Sequence, residues 1–385
     1  MNTSFRVAHL IDTLSWGGAQ KLLVTFAEEA RTRNITSTVI SLRALNDSPF
    51  AQQLRSLGVP VVVLPHRRIF DPHQLWALIR FLQREQFDVL HTHLTQANII
   101  GGIVGRMLNI PVVSSIHNTK ARVRRYHRLR QALEAGVLRY GVKRVVAVGH
   151  VVADAQAHRL RGKKIYTIPN AVSSIAPLHH DERIALRQTI LGDPTRPMLI
   201  SVGRLTAQKG YDDLLTAFAI VHKLHPSAAL VIVGRGELQA ELAERLAALK
   251  LDGHAFMLGA RTDVPKLLAV SDMYVSASHW EGLPVAVLEG MSAGLPVVAT
   301  DVGDVRHVVA ENTGFVVPPQ DPAALAAALC TMLDDPSQIR ILGAGARAHV
   351  ARDYSPAVWL DQLVSLYREI CTSSVALSQK QDVSH

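Results

Sequence analysis

The chain has 385 residues, 48% of them hydrophobic and 19% charged, and a formal net charge of +9. This balance excludes a disordered protein, and the length exceeds one ordinary domain core, so we expect about two domains. The two cysteines exclude a disulfide framework and a cysteine metal site, which indicates a cytoplasmic location. We expect no signal peptide and no membrane span, because the most apolar window, 97–116, is broken by charged, polar and proline residues.

In the first half of the chain, short apolar runs alternate with stretches of helical pattern. The helical stretches, such as 18–33 and 96–108, are long enough for right-handed crossovers between parallel strands. The nearly continuous apolar character of the runs indicates strands that are covered on both faces. Residues 1–172 are therefore predicted to form one doubly wound α/β domain. Its strands are expected at 6–10, 36–42, 61–64, 89–92, 112–116, 144–147 and 165–168.

The pattern lapses after Asn170 and starts again near Met198. Residues 173–196 are polar and contain two prolines, Pro177 and Pro194, which predicts an interdomain linker with one short helix. Residues 197–355 repeat the alternation and predict a second domain of the same class. A final helix at 356–371 is expected to pack back on the first domain, and residues 372–385 are expected to be disordered. The strands of the second domain are expected at 198–202, 230–233, 255–258, 273–276, 297–300 and 315–317.

The excess positive charge is concentrated between His117 and His150, where nine Lys or Arg residues accompany one acid, Glu134. Such a block fits an anionic membrane surface or a phosphorylated substrate, and it also fits an ordinary solvated helix face. We expect no nucleic-acid partner, because no aromatic stacking platform or zinc module accompanies the block.

Glycines and cations follow the first strand of each predicted domain, at the edge where open parallel sheets bind ligands. Gly17 and Gly18 precede a helix, so they either admit a phosphate or form a plain tight turn. In the second domain Gly203 is followed by Arg204 and Lys209, a planar fork and a mobile charge that suit a diphosphate. Two surface cations beside a turn are the alternative. The absence of a P-loop signature argues against nucleoside triphosphate hydrolysis.

Two glutamates with seven residues between them, Glu281 and Glu289, form the most distinctive motif. Pro284 suits the first turn of a helix, which puts Glu281 in the preceding loop and Glu289 about two turns inside. The two residues then lie roughly 10–12 Å apart, farther than the carboxylate pair of a glycosidase. This spacing argues against a hydrolase and suits contacts to two hydroxyl-bearing rings. A capping carboxylate and a buried, hydrogen-bonded one are the alternative.

Three histidines stand at the ends of predicted strands. His91 and His93 share a face of their strand and would suit a metal ion, but the sequence offers no third ligand, so structural or acceptor-side roles are favoured. For His117 a functional role is favoured over that of a hydrogen-bonded core residue. There is no DxD motif, so we predict no metal site and expect cations and helix dipoles to offset phosphate charge.

Six segments follow one another along the chain: GGAQ, HTH, SIHN, GRLTAQKG, EGLPVAVLE and GLPVVATDVG. In this order they resemble glycosyltransferase family 4, and the likeness covers almost the full chain. The glutamate pair is the family's most specific mark. The resemblance implies the GT-B fold, in which two Rossmann-like, doubly wound domains face a central cleft.

The resemblance also implies a role for each matching position. Glu289 corresponds to the glutamate that holds the nucleotide ribose, and Glu281 to the one beside the hydroxyls of the transferred sugar. Arg204 and Lys209 correspond to the cations on the donor phosphates, and His117 to the histidine near the reaction centre. The implied catalytic residues are His117, Glu281, Arg204 and Lys209. The remaining implied donor-binding residues are Gly17, Gly18, Gly282, Leu283, Pro284 and Val285. Gly203, Gly234 and Arg261 are donor-binding candidates by their position after strands of the second domain, and Gly234 either admits a nucleotide or forms a plain turn.

The implied reaction moves a hexose or N-acetylhexosamine from a nucleotide diphosphate, expected to be UDP, onto a glycan or lipid-linked acceptor of a bacterial surface polysaccharide. Anomeric configuration is retained and the leaving phosphate oxygen accepts the acceptor's proton, so no protein nucleophile, metal or other cofactor is expected. A sugar-nucleotide epimerase of the same fold and a non-catalytic nucleotide-sugar binder are the alternatives. The cationic segment from Lys120 to Arg130 is expected to meet the anionic inner face of the membrane or a phosphate on the acceptor.

One position departs from the family's pattern. Many members have a glutamate where this chain has His307. If that glutamate caps a turn, little changes; if it touches the donor, donor identity or activity changes.

Overall fold

The structure, a computed structural model, describes residues 5–15, 17–43, 48–64, 71–117 and 125–382. The chain divides into two compact units. Unit 1 comprises Met1–Ala171 and Pro356–His385, and unit 2 comprises Val172–Ser355. Among the described residues, no helix combines the length and the apolar character that crossing a bilayer requires.

Unit 1 contains seven strands: β1 (Phe5–Ile11), β2 (Ile35–Ser41), β3 (Val61–Val63), β4 (Val89–His93), β5 (Val112–Ile116), β6 (Arg144–Ala147) and β7 (Ile165–Thr167). They form one parallel sheet in the order β3-β2-β1-β4-β5-β6-β7. The direction of progress reverses between β1 and β4. This reversal is the topological switch point at which open α/β sheets bind ligands.

Helices cover both faces of this sheet: α1 (Gly18–Ala30), α2 (Pro49–Ser56), α3 (Pro72–Glu85), α4 (Thr95–Met107), α5 (Arg125–Tyr140) and α6 (His150–Ala157). Local sequence explains where two of them begin, because α2 and α3 each start with a proline that follows a capping residue. The Ser48 hydroxyl accepts from the Ala51 amide at 3.2 Å, and the Asp71 carboxylate accepts from the His73 amide at 3.0 Å.

Unit 2 contains six strands: β8 (Met198–Val202), β9 (Ala229–Val233), β10 (Ala255–Met257), β11 (Met273–Ser276), β12 (Val297–Thr300) and β13 (Gly314–Val317). They form a parallel sheet in the order β10-β9-β8-β11-β12-β13, which again has its switch point beside the first strand. Its helices are α7 (His180–Leu191), α8 (Tyr211–Leu224), α9 (Gln239–Ala248), α10 (Val264–Val270), α11 (Val285–Ser292), α12 (Val305–Val308), α13 (Pro322–Asp334) and α14 (Pro336–Asp353).

Both units are doubly wound parallel α/β domains, so the predicted fold class is confirmed. All thirteen predicted strands are present. The apolar runs identified them because the inner strands are buried on both faces, with separate core clusters on either side of each sheet. The edge strands β3 and β7 are half-buried.

The segment predicted as a linker, 173–196, packs within unit 2. Leu191 is buried in the unit 2 core with Met198. The Arg187 guanidinium contacts the Asp272 carboxylate at 3.0 Å and donates to the Val270 carbonyl oxygen at 2.6 Å. The polar residues of this segment therefore belong to helix α7, which the buried Arg187 holds against the sheet.

The last helix, α15 (Pro356–Asp382), belongs to unit 1 although it follows unit 2 in sequence. Trp359 and Tyr367 are buried in one core cluster with Phe26 of α1. Residues 372–385 are predicted to be disordered, whereas the structure continues the helix to Asp382; 383–385 lie outside the described residues.

The thiol of Cys371 on α15 reports on this packing. It lies 3.8 Å from the carbonyl oxygen of Asp88, and burial raises its pKa to about 11. Because the thiolate is the nucleophile, iodoacetamide should alkylate Cys371 at least roughly 10-fold more slowly in the folded protein than in urea near pH 8. Mass spectrometry of the alkylated peptides measures both rates. Equal rates in the two states would show that α15 does not cover unit 1.

Candidate functional site

Four loops at the carboxyl edge of the unit 2 sheet are joined by backbone hydrogen bonds. They follow β8, β9, β11 and β12. The joining bonds run from Leu205 N to Arg235 O at 3.2 Å, from His279 N to Gln208 O at 2.8 Å, and from Asp304 N to Gly282 O at 3.0 Å. The loops that carry most of the predicted donor-binding residues therefore form one connected rim.

Two glycines permit the close approach of these loops. Gly234 has a φ of 152°, and a side chain there would overlap the carbonyl oxygen of Gly203. Gly210 has a φ of 60°, and a side chain there would overlap the carbonyl oxygen of Ala277 and lie 2.9 Å from Nε2 of His279. Because both positions combine positive φ with a crowded Cβ direction, only glycine fits without strain.

The Lys209 ammonium and the Glu281 carboxylate form an ion pair, with Nζ and Oε1 2.6 Å apart. Their side chains are only 21% and 9% exposed. Glu281 also accepts from the Ser278 hydroxyl at 2.7 Å and from the Gln208 amide at 3.4 Å. Three donors on two loops therefore hold one carboxylate in place.

A second polar contact closes the same junction. His279 Nε2 lies 2.8 Å from Oδ2 of Asp213, which is in the first turn of α8. Gln208, Ser278 and His279 were missed from sequence. Each lies within two or three positions of Lys209 or Glu281, and this proximity is the only sequence signal for them.

Glu289 lies in the second turn of α11 and is half-buried. Beside it, the ring of Tyr274 packs against Gly290, where an added side chain would come within 2.6 Å of a ring carbon. Burial raises the pKa of the Tyr274 hydroxyl, and the charges of Glu289 and Glu281 raise it further. Both glutamates therefore lie within electrostatic reach of one phenol, as expected if they serve one site.

The loop before α11 departs slightly from expectation. Pro284 is the N-cap residue and Val285 begins the helix, so Pro284 does not occupy the first turn. The Val285 amide donates to the Leu283 carbonyl oxygen at 3.0 Å. The Val285 amide, in the predicted donor-binding segment, is therefore already hydrogen-bonded, and the Gly282 carbonyl oxygen accepts from the Asp304 amide.

The two predicted donor-binding arginines differ in setting. Arg204 is exposed, and within the described ranges its guanidinium contacts no acid. Arg261 forms a two-bond ion pair with Asp263 on its own loop, at 2.8 and 2.7 Å. Arg204 is therefore available to an anion, whereas Arg261 already shares its charge with Asp263.

His307, the departure from the family pattern, lies on α12 with its side chain 53% exposed. Its Nδ1 is 3.8 Å from Oδ1 of the buried Asp304. The hydrogen bond from the Asp304 amide to the Gly282 carbonyl oxygen is one of those that join the rim. His307 therefore lies beside the loop that holds Gly282.

In unit 1, α1 begins at Gly18 and no side chain caps its first turn. A side chain at Gly18 would meet nothing within 4 Å, whereas one at Gly17 would overlap the amide of Gln20. Gly17 therefore packs within the loop, and Gly18 leaves open space at the helix start. Trp16 lies outside the described residues.

Asp12, at the end of β1, was also missed from sequence. Its carboxylate accepts from the Ala97 and Gln96 amides at 2.6 and 3.3 Å, and so caps α4. Burial raises its pKa, while these amides and Arg130 lower it. Arg130, 3.7 Å from Asp12, is the only cation of the segment 120–130 whose side chain is described.

Four histidines line one face of the unit 1 sheet. His9 pairs in register with His91, and His93 and His117 follow at the ends of β4 and β5. The ring centroids of His91 and His93 are 4.3 Å apart, and those of His93 and His117 are 6.0 Å apart. Sequence alone offers no third partner for His91 and His93; the structure supplies His9, which corrects that inference.

The imidazole of His117 is uncharged at neutral pH. Burial lowers its pKa to about 4, and its Nε2 has no hydrogen-bond partner among the described residues. His117 can therefore form a hydrogen bond with a ligand, as donor or acceptor, but does not supply a positive charge.

Comparison with known proteins matches both units. A family model described as Glycosyltransferase Family 4 matches residues 16–174, and one described as Glycosyl transferases group 1 matches residues 182–349. The chain belongs to glycosyltransferase family 4. It is a glycosyltransferase with the GT-B fold, as its sequence motifs predict.

Individual relatives agree with this assignment. The glycosyltransferase is 28% identical to the UDP-Gal:alpha-D-GlcNAc-diphosphoundecaprenol alpha-1,3-galactosyltransferase of Escherichia coli, over 82% of this chain and 84% of that one. It is 29% identical to the phosphatidyl-myo-inositol mannosyltransferase of Mycobacterium leprae, over 93% and 94%. The crystal structure of Anabaena HepE in complex with UDP shares the fold, with a TM-score of 0.83 and 20% identity over 94% of this chain and 100% of that one.

The junction at Gly210 gives a test of the site's architecture. Gly210→Ala should lower the free energy of unfolding by more than the roughly 1–2 kcal/mol that a left-handed residue costs, because its Cβ also meets Ala277. Gly253→Ala is the matched control, since Gly253 has a φ of 75° and an added Cβ meets nothing within 4 Å. Urea unfolding measures both. Equal losses would contradict the close approach of the two loops.

Proposed function

We propose that this glycosyltransferase moves a sugar from a UDP-sugar to a glycan or lipid-linked acceptor, with retention of configuration and without a metal ion. The 2.6 Å contact between Lys209 and Glu281 carries the proposal. It sets a cation suited to a departing phosphate against a carboxylate suited to a sugar hydroxyl. A sugar–phosphate bond held over this pair would have each group on the appropriate side.

The cations supply the charge stabilisation. Negative charge grows on the diphosphate as its bond to the sugar breaks, and fixed positive groups stabilise that state. Lys209 is held in position by Glu281, and Arg204 on the same loop is exposed. The start of α11 adds the partial positive charge of a helix N-terminus. In the proposal, these groups take the place of a divalent ion.

The nucleotide and the sugar are assigned to the two glutamates. Glu281, already oriented by Lys209 and Ser278, accepts from hydroxyls of the transferred sugar, and Glu289 accepts from the ribose. UDP is supported by the E. coli relative, which is named as a UDP-Gal enzyme, and by the structure of HepE in complex with UDP-glucose. The proposed sugar is a hexose or an N-acetylhexosamine.

In the proposed transfer, configuration is retained because the acceptor attacks from the face that the phosphate leaves. The acceptor oxygen forms its bond to the anomeric carbon as the bond to phosphate breaks, and the phosphate oxygen takes the acceptor's proton. In this proposal Glu281 is not a nucleophile: Lys209 and Ser278 hold it through Oε1, and it accepts from the sugar's hydroxyls. His117, uncharged at neutral pH, is assigned a hydrogen bond to the transferred sugar.

A lipid-linked acceptor is supported by two relatives, whose names specify a diphosphoundecaprenol and a phosphatidyl-myo-inositol. The proposal assigns the segment from Lys120 to Arg130 to the anionic membrane surface or to the acceptor's phosphate. We place the enzyme in the cytoplasm, at the inner face of the membrane.

Lys209→Met should lower kcat by roughly 10²–10³-fold and change the KM for the UDP-sugar little, because the cation acts mainly on charge that develops in the transition state. The assay is UDP release from UDP-sugars with a GlcNAc-diphospholipid acceptor. Lys223→Met, at an exposed position on α8, is the control and should keep full turnover. Added Mg²⁺ or Mn²⁺ should not raise the rate.

Stability must be separated from chemistry in this experiment. Lys209→Met leaves the mostly buried Glu281 carboxylate unpaired, which costs about 3–5 kcal/mol. The double variant Lys209→Met/Glu281→Gln should regain stability in urea unfolding without regaining turnover. Wild-type turnover in either variant would exclude the proposed role of the pair.

Membrane attachment has its own test. A triple variant with alanine at Lys120, Arg122 and Arg124 should bind anionic vesicles about 10²-fold more weakly, at about 1 kcal/mol per cation. A charge-matched control replaces three exposed cations of unit 2, Lys223, Lys266 and Arg340. Flotation with anionic and neutral vesicles at two salt concentrations measures binding. The assignment fails if both triple variants float equally well on anionic vesicles.

A further inference from the structure

The imidazoles of His9, His91 and His93 form a buried cluster on one face of the unit 1 sheet. The register of β1 and β4 sets His9 beside His91, and His93 follows two residues later on the same face. The three residues are 1%, 1% and 4% exposed. One ring nitrogen of each lies within 4.8 Å of the others. The proposed transfer uses none of the three.

The hydrogen bonds of this cluster leave two ring nitrogens without partners. His9 Nδ1 and His93 Nε2 are 3.1 Å apart. His9 Nε2 and His93 Nδ1 are buried and have no hydrogen-bond partner among the described residues. The two nitrogens that lie 3.1 Å apart can share only one proton in a hydrogen bond. A metal ion between them would instead accept a lone pair from each, and the ring protons would then lie on His9 Nε2 and His93 Nδ1.

The protonation state and the donor set both suit a metal. Burial lowers the pKa of His9 to about 3 and the pKa values of His91 and His93 well below their usual range, so all three rings are neutral at physiological pH. Neutral imidazole is the form that binds metals. The cluster contains no carboxylate. A set of nitrogens alone favours Zn²⁺ and neighbouring transition metals over Mg²⁺ and Ca²⁺.

We propose that His9, His91 and His93 bind a divalent transition metal of the zinc class. Two nitrogens on one tetrahedral zinc ion, with bonds of about 2.0 Å, lie about 3.3 Å apart. His9 Nδ1 and His93 Nε2 are already at 3.1 Å. A His91 nitrogen up to 4.8 Å away reaches the ion after a ring movement of about 1.5 Å, and water takes the fourth position.

The surroundings of His91 fit this role. Its Nδ1 is 2.6 Å from the Tyr367 hydroxyl, and its Nε2 is 2.8 Å from the Ser115 hydroxyl. When Nε2 turns to the metal, Tyr367 retains Nδ1, and a hydrogen bond of this kind orients a metal-bound histidine. Ser115 competes with the metal for Nε2. Because Tyr367 lies on α15, the ion would tie the last helix to β1 and β4.

Cobalt provides a direct measurement. The purified full-length chain is unfolded in urea with a chelator, refolded with Co²⁺ near neutral pH, and freed of unbound ion. We expect one Co²⁺ per chain, visible ligand-field absorption of a four-coordinate nitrogen site, displacement by Zn²⁺, and a higher midpoint of thermal unfolding. A refolded chain that holds no cobalt would overturn the proposal.

Variants identify the ligands. His93→Gln should abolish the absorption, whereas His222→Gln should retain it. His222 is the matched control because its ring also packs closely against that of a second histidine, His254, with ring centroids 3.9 Å apart. If His222→Gln loses cobalt while His93→Gln retains it, the proposal is overturned.

Two gentler variants test the site if His93→Gln does not fold. Ser115→Ala frees His91 Nε2 and should tighten cobalt binding, while Tyr367→Phe should weaken it by about 10- to 100-fold. A purely hydrogen-bonded histidine network predicts no metal effect of either change, and that result would refute the inference. Every readout is metal content, absorption or melting, so the outcome is independent of whether the proposed transfer is correct.

Discussion

The candidate site depends on the approach of two loops that are about seventy residues apart in sequence. Lys209 and Glu281 meet because Gly210 lets the loop after β8 lie against the loop after β11. The strand order makes this possible, since β8 and β11 are neighbours in the sheet. Removed from water at this junction, each charge needs the other. Donor binding, charge stabilisation and the orientation of the sugar all follow from this one contact in the proposed function.

The carboxyl edges of the two sheets differ in their electrostatics. In unit 2 the side chains are charged, and the Glu281 carboxylate is compensated by Lys209 and by hydroxyl and amide donors. In unit 1, His9 packs against Phe26 of α1 and His91 against Tyr367 of α15, and burial lowers the pKa of both imidazoles. A charged edge suits a diphosphate, whereas a neutral imidazole suits a sugar hydroxyl or a transition metal.

Much of the fold could be predicted because its signals are local. Apolar runs marked every strand, and Ser48 and Asp71 with their following prolines marked helix starts. Local polarity is a weaker guide. From sequence, the segment around Arg187 is predicted to be a linker, because the contact of its buried guanidinium with Asp272 is visible only in the fold. The polar residues at the end of α15 predict disorder, whereas the structure continues the helix to Asp382.

The sequence by itself determined the fold class, the family and the identity of the charged residues at the sheet edges, since these depend on short-range patterns and motif order. Only the tertiary structure decided which of those residues touch. His9 lies about eighty residues before its partners, and nothing local indicates that β1 pairs with β4 in the register that joins His9 to His91. Strand neighbours and register arise from packing across the whole sheet, so contacts between distant loops and strands could not be read from the chain alone.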